Sequence, residues 1–216
     1  MAAATLCIVI PTRNRSEILH FSIESALAVP VPGLTVLVSD NSSDPEELSR
    51  NETLCRRLDR GNLRYIRPPL SLAMSDHWEF AIAQAEGDFL TVLTDRFYLW
   101  PDLYKAAFDT MRARNAALVT YGNDVVADTL RWGRRIVNHP ESRTFIEIPS
   151  GRILAEMARG NFSSATPRLL NTIVRRSFLE RIRAVAVPIC DSASPDIRFA
   201  CLALSQLERI LFFHAN

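Results

Sequence analysis

Short apolar runs and polar breaks alternate in a regular order along the first half of the chain. The run LCIVI at 6–10 is rich in β-branched residues and stopped by Pro11, the pattern of a strand buried on both faces. From Ser16 onward, Ile18, Phe21, Ile23 and Leu27 fall near one helical stripe, with Ser16 as the expected N-cap and Pro30 and Pro32 as stops. LTVLV at 34–38 predicts a second strand, and Pro45 opens a helix after a loop dense in turn formers and acids. Residues 63–66 read as a third, more exposed strand. A helix follows over 75–85, with Asp76 as its cap, Trp78 in its core-facing side and Gly87 closing it. FLTVL at 89–93 is apolar enough to be a central strand.

The second half continues with a helix over 101–114 and a strand over 117–121. An Arg-rich polar span then runs to about 143 with no clear element. Beyond it the pattern predicts a capped helix over 147–159, a short strand over 172–176, a helical turn over 176–185 and an apolar helix over 196–210. Strand, helix, strand between residues 6 and 38 is a βαβ unit, so the sheet is expected to be parallel with right-handed crossovers. No repeat, low-complexity tract or Gly/Ser linker marks a boundary, and 216 residues fit one α/β domain.

Composition removes several functions. Apolar residues at 48% and charged residues at 23% are those of a globular chain, and a net charge of +1 provides no general attraction for nucleic acid or an anionic membrane. Arginine supplies 24 of the 25 basic side chains, so lysine chemistry has only Lys105, which no Gly-rich phosphate loop precedes. The four cysteines are scattered without a C-x-x-C pair, which fits buried thiols in a reducing compartment. The N-terminus lacks a basic stretch and a long apolar run, and no apolar stretch reaches the roughly 18 residues of a membrane span. A cytoplasmic protein is the expectation, with room for a peripheral role at a membrane face.

In a doubly wound sheet, ligands bind beyond the carboxyl ends of the strands. There the first strand delivers Pro11, Thr12, Arg13, Asn14 and Arg15, the second Asp40 and Asn41, and the fourth Thr94, Asp95 and Arg96. Carboxylates that accept from a base N–H or ribose hydroxyls, beside guanidinium groups that fork onto phosphate, suit a nucleotide.

IVIPTRNR, VLVSDNSSDPEEL and AEGDFLTVLTDRFYLWPDLY, in that order, resemble the first half of family 2 glycosyltransferases. The resemblance covers about residues 5–105 and extends more weakly to SPDIRFACLAL. It implies a GT-A fold, a Rossmann-like, mostly parallel sheet flanked by helices. The nucleotide-sugar half would be about 5–105 and the acceptor and base half about 106–216. It also implies an inverting enzyme that takes a sugar, with UDP as the expected carrier, to a glycan or lipid-linked acceptor in polysaccharide or cell-envelope synthesis.

Carried over residue by residue, Thr12 and Asp40 would hold nucleobase and ribose. Asp95 would stand at the first aspartate of the family's DxD element, and Asp196, with Asp191 as runner-up, would be the catalytic base. Arg96 and Phe97 interrupt the DxD pattern. Magnesium or manganese on Asp95 and direct neutralisation of the diphosphate by Arg96 therefore stand as alternatives.

Plainer readings exist for each residue. Asp40 and Asn41 are ordinary strand-end turn residues, Asp196 is a helix cap, and Arg13 and Arg15 are solvated. His77 lies near the start of its helix, at the cleft rim if it takes part. Arg131, Arg134 and Arg135 beside Trp132 are either a solvated loop or an acceptor lid. A nucleotide-sugar-binding or scaffolding relative that has lost turnover is the reading from another function class, motivated by Arg96.

Overall fold

The fold of the sequence was obtained as a computed structural model that describes residues 4–122, 126–129, 133–136, 143–191 and 194–215, with backbone alone for 126–129, 133–136, 143 and 215. In chain order the elements begin β1 (Leu6–Thr12), α1 (Ser16–Leu27), β2 (Leu34–Asp40), α2 (Pro45–Leu58), β3 (Leu63–Ile66), α3 (Met74–Ala83) and β4 (Phe89–Val92). They continue with α4 (Pro101–Ala113), β5 (Leu118–Tyr121), β6 (Val126–Thr129), β7 (Gly133–Ile136), β8 (Arg143–Pro149) and α5 (Ser150–Ala158). A 3₁₀ turn (Leu169–Asn171), β9 (Thr172–Arg175), α6 (Arg176–Val185), α7 (Pro195–Ser205) and β10 (Arg209–Ala215) complete it.

Among the described residues eight strands form one sheet in the order β3-β2-β1-β4-β9-β5-β10-β8, and β6 and β7 make a separate antiparallel pair. The strands from β3 to β4 are mutually parallel, as the βαβ pattern predicts. Between β4 and β5 the chain inserts β9, antiparallel to both, and β8 closes the far edge antiparallel to β10. Two apolar layers sandwich the sheet. One contains Leu19 and Ile23 of α1, Leu54 and Cys55 of α2, and Phe108 and Met111 of α4 against Ile8, Ile10 and Phe89. The other contains Ile82 of α3, Ile153 of α5, Phe178 of α6 and Phe199 of α7 against Val9, Leu90 and Val92. Each such side chain withdrawn from water contributes about 1.5–3 kcal/mol, so β1, buried at every position, anchors the fold. Gly87 enters β4 at φ +140°, where an added Cβ would lie 3.3 Å from the Cys7 nitrogen and the Phe89 oxygen. Among the described residues no helix is long and apolar enough to cross a membrane.

Several sequence expectations change. Residues 143–149 are a strand, so Glu147 belongs to β8 and the helix begins at Ser150. The apolar helix stops at Ser205, and RILFFHA becomes β10 between β5 and β8, where two pairing partners outweigh the run's helical pattern. Ser16 is the first helical residue rather than the cap. Its N–H and hydroxyl both donate to Glu47 of α2, at 2.8 and 3.0 Å, tying two helices instead of ending one. Asp76 is exposed in the first turn of a helix that starts at Met74, and that helix ends at Ala83, short of Gly87. Trp78 is only partly buried against the second layer. Arg134 and Arg135 fall on β7, while Arg131 and Trp132 lie outside the described residues.

Candidate active site

Parallel pairing places the ends of β1, β2 and β4 side by side. Thr12 is in register with Asp40, the Asn41 N–H donates to the Thr12 carbonyl at 2.9 Å, and the Leu93 N–H donates to the Val9 carbonyl at 2.8 Å. Three residues singled out from the sequence thereby share one rim. The Thr12 hydroxyl donates to Asp95 Oδ2 at 3.0 Å, and Arg15 Nε lies 3.8 Å from the same oxygen. Burial lifts the Asp95 carboxyl above its usual range, while the Thr12 hydrogen bond and the Arg15 charge pull it back.

Asp40 is 1% exposed, and its oxygens are largely committed inward. Oδ1 accepts from the Ser42 N–H at 2.8 Å, and Oδ2 from Asn51 Nδ2 at 2.9 Å and the Tyr65 hydroxyl at 2.8 Å. Burial, with the hydrogen bond to Asp40 and its charge behind it, pushes the Tyr65 phenol far above its usual range. Asn41 is also buried, and it mimics a strand by giving Nδ2–H to the Leu72 carbonyl at 2.8 Å and taking the Leu72 N–H on Oδ1 at 2.9 Å. Asn14, at φ +52°, receives the Ser43 N–H and donates its own N–H to the Ser42 hydroxyl, which staples the loop after β1 to the loop after β2. Pro11 is buried, and Arg13, Arg15 and Arg96 are exposed above this floor. Three guanidinium groups over two buried carboxylates make a mouth suited to an anion and a floor suited to N–H and O–H donors.

Asp196 reaches the same rim from the other face of the sheet. The Thr91 hydroxyl of β4 donates to the Thr172 carbonyl at 2.9 Å, so the 3₁₀ turn just before Thr172 lies beside the end of β4. Arg168 and the N–H groups of Leu169 and Leu170 surround the Asp196 carboxyl there. Burial raises that carboxyl, against the lowering effect of Arg168 first and of the two N–H groups after it. Its Oδ1 is buried with no hydrogen-bond partner among the described residues, which is the environment of a carboxylate that can take a proton. Asp191 is exposed and precedes this helix by a loop.

A divalent ion needs several oxygen donors. Here Asp95 offers one carboxylate, already bonded to Thr12 and facing Arg15, followed by cationic Arg96 and apolar Phe97. Among the described residues no group of three or more potential metal-ligating side chains occurs. The donor set does not fit a metal held by paired carboxylates.

Sequence reasoning did not find Asn51, Tyr65 or Ser39. Asn51 carried the clearest signal, a polar residue three and four positions before Leu54 and Cys55 on the buried stripe of α2. His77 is not at the rim. It is 3% exposed, and its Nε2 lies 2.9 Å from the Ser39 hydroxyl at the end of β2. Burial lowers its pKa from 6.5 to about 4, against opposing contributions from Ser39 and Asp40. The unfolded chain therefore binds a proton below pH 6.5 that the folded chain refuses until about pH 4. The stability that neutral His77 contributes is complete above pH 6.5 and is lost as pH falls toward 4, by roughly 3 kcal/mol in all. Thermal melts of the wild type and His77→Gln across this window are expected to show the steeper fall in the wild type; parallel curves would refute it.

The family model for glycosyl transferase family 2 matches residues 7–183. Among solved structures, S. aureus TarS 1-349 superposes with a TM-score of 0.67 at 18% identity, covering 98% of this chain and 60% of that one. The same TarS fragment in complex with UDP-GlcNAc gives 0.68 at 19% identity, covering 98% and 58%, and in complex with UDP it gives 0.69 at 18%, covering 98% and 60%. At these identities the likeness is one of fold, and the chain spans no more than about three fifths of those structures. No curated protein matches the sequence.

Proposed function

The chain belongs to glycosyl transferase family 2, and from that membership we propose that it transfers a sugar from a uridine diphosphate carrier to a hydroxyl of a glycan or lipid-linked acceptor, with inversion. The single observation that carries the reading is the convergence of Thr12, Asp40 and Asp95 on one rim, with the turn that surrounds Asp196 beside them. Similar folds in complex with UDP and UDP-GlcNAc support the choice of carrier.

In this mechanism the nucleoside lies over the ends of β1 and β2, and the diphosphate faces Arg13, Arg15 and Arg96. An acceptor oxygen forms its bond to the anomeric carbon as the bond to the diphosphate oxygen breaks and the electron pair leaves with UDP. Asp196 accepts the hydroxyl proton, and the guanidinium groups stabilise the charge that develops on the leaving group. No step is assigned to a metal, because Asp95 supplies a single carboxylate, already bonded to Thr12 and facing Arg15, where the family pattern has a pair. The work is placed in the cytoplasm, in polysaccharide or cell-envelope assembly.

Calorimetry with UDP and measurement of UDP released from UDP-GlcNAc test the proposal directly. Arg96→Ala is expected to weaken UDP binding about 10-fold or more, as loss of a charge-assisted hydrogen bond does. Chelation with EDTA should leave UDP release within about twofold. Loss of activity in EDTA that manganese restores would return the diphosphate to a metal. UDP binding with no release from any donor and acceptor pair would favour the scaffolding alternative.

A further inference from the structure

Glu79 is a half-buried carboxylate of α3 that the transfer mechanism does not use, yet it sits where α3, α6 and the approach to α7 meet. Its Oε2 accepts the N–H groups of both Ile189 and Cys190, each at 3.1 Å, and its Oε1 lies 3.0 Å from Arg183 at the end of α6. Ile189 and Cys190 are fully buried in the second apolar layer with Phe199 of α7. One residue earlier, the Pro188 carbonyl accepts from Arg198 Nε at 3.0 Å. Arg198 stands two residues after Asp196, in the first turn of α7. Residues 188–190 are therefore held by α3 on one side and hold the start of α7 on the other.

The same helix, two residues before Glu79, carries His77 against Ser39, next to Asp40. The loop before α3 is pinned to Asn41 through Leu72. One ten-residue helix thus touches the strand that ends in Asp40 and the segment that holds the start of α7.

We infer that Glu79 is a positioning residue for Asp196, acting through residues 188–190 and Arg198 to hold the first turn of α7 at the rim. This rests on the reading of Asp196 as base. The chemistry required of Glu79 is an oxygen that accepts two backbone N–H groups; its charge toward Arg183 is secondary.

The experiment follows from that distinction. Glu79→Ala is expected to lower kcat for UDP release from UDP-GlcNAc at least 10-fold and to leave the affinity for UDP within twofold. Glu79→Gln, whose carbonyl oxygen can still accept both N–H groups, should recover turnover to within about threefold of the wild type, as should Arg183→Ala. In an Asp196→Asn background Glu79→Ala should cost nothing further, because the residue it serves is already gone. A further loss in that background equal to the loss in the wild type overturns the inference. So does a Glu79→Gln protein as impaired as Glu79→Ala.

Hydrogen exchange supplies an arm that needs no turnover. In Glu79→Ala the amides of Ile197 and Arg198 should lose protection while those of β1 and β4 keep theirs, which also separates displacement from unfolding. Unchanged protection at Ile197 and Arg198 overturns the inference whatever the activity. Failure of the wild type to bind UDP would refute the transferase reading, and the exchange result would still decide whether Glu79 holds α7.

Discussion

Asp196→Asn is expected to lower sugar transfer by about 10²- to 10⁴-fold, the range by which a positioned general base accelerates a reaction. UDP affinity should stay within about twofold of the wild type, because the proposed nucleotide end of the cleft lies at the ends of β1, β2 and β4 and takes nothing from α7. Asparagine keeps the shape and the acceptor oxygen facing Leu169 and Leu170 and loses only the ability to take a proton, so the fold should be unaffected. Steady-state kinetics with UDP-GlcNAc and any accepted hydroxyl, run beside calorimetry, separates the two quantities. An Asp196→Asn enzyme with wild-type turnover would pass the role to Asp191 or elsewhere. The raised Asp196 carboxyl adds a pH signature. Turnover in the wild type should fall with acid through a pKa above the ordinary aspartate value, and that limb should vanish in the variant.

Asp40→Ala should show its largest effect on stability. Its carboxylate takes three donors, from Ser42, Asn51 and Tyr65, and all three lie in buried or half-buried surroundings. Each donor left without a partner costs about 1–3 kcal/mol, so even the lower end amounts to roughly 3 kcal/mol. In a domain of this size that is on the order of 6–12 °C of Tm. Nucleotide binding should weaken as well, because the loop after β2 is set by Asp40 and stapled to Asn14. Asp40→Asn retains one acceptor and the shape, and should fall between the two. Melting curves with and without UDP discriminate. A variant that melts like the wild type but no longer binds UDP would mean that Asp40 acts directly on the ligand, and one unchanged in both would remove it from the site.

The parallel half of the fold was legible because its strands are buried on both faces and end abruptly. LCIVI and FLTVL bury every position, with Thr91 the one hydroxyl among them, and PTRNR, SDNSSD and TDR follow at the strand ends. The antiparallel additions were harder to read. FIEIP alternates as an edge strand should and stops at Pro149, but no loop separates it from the amphipathic turns of α5, so its apolar positions also continue the helical stripe and Glu147 reads as helical. RILFFHA follows an apolar helix with no glycine or proline between them, and only pairing with β5 and β8, distant in sequence, makes it a strand. At the site, strand-end residues were visible because topology alone places them. The partners of Asp40 were not, since Asn51 and Tyr65 reach it only once α2 and β3 have packed. Asp196 came from the resemblance; its surroundings, Arg168 and the 3₁₀ turn, are tertiary.

The position of β9 bears on how the protein is made. During synthesis β1 to β4 emerge first and can pair with one another, but the outer edge of β4 has no neighbour until Thr172–Arg175 leaves the ribosome. An unpaired apolar edge is a template for association with other chains. Residues 5–105 expressed alone should therefore be prone to aggregate, and the arrival of β9, not completion of the parallel strands, should mark the moment at which the edge of β4 is covered.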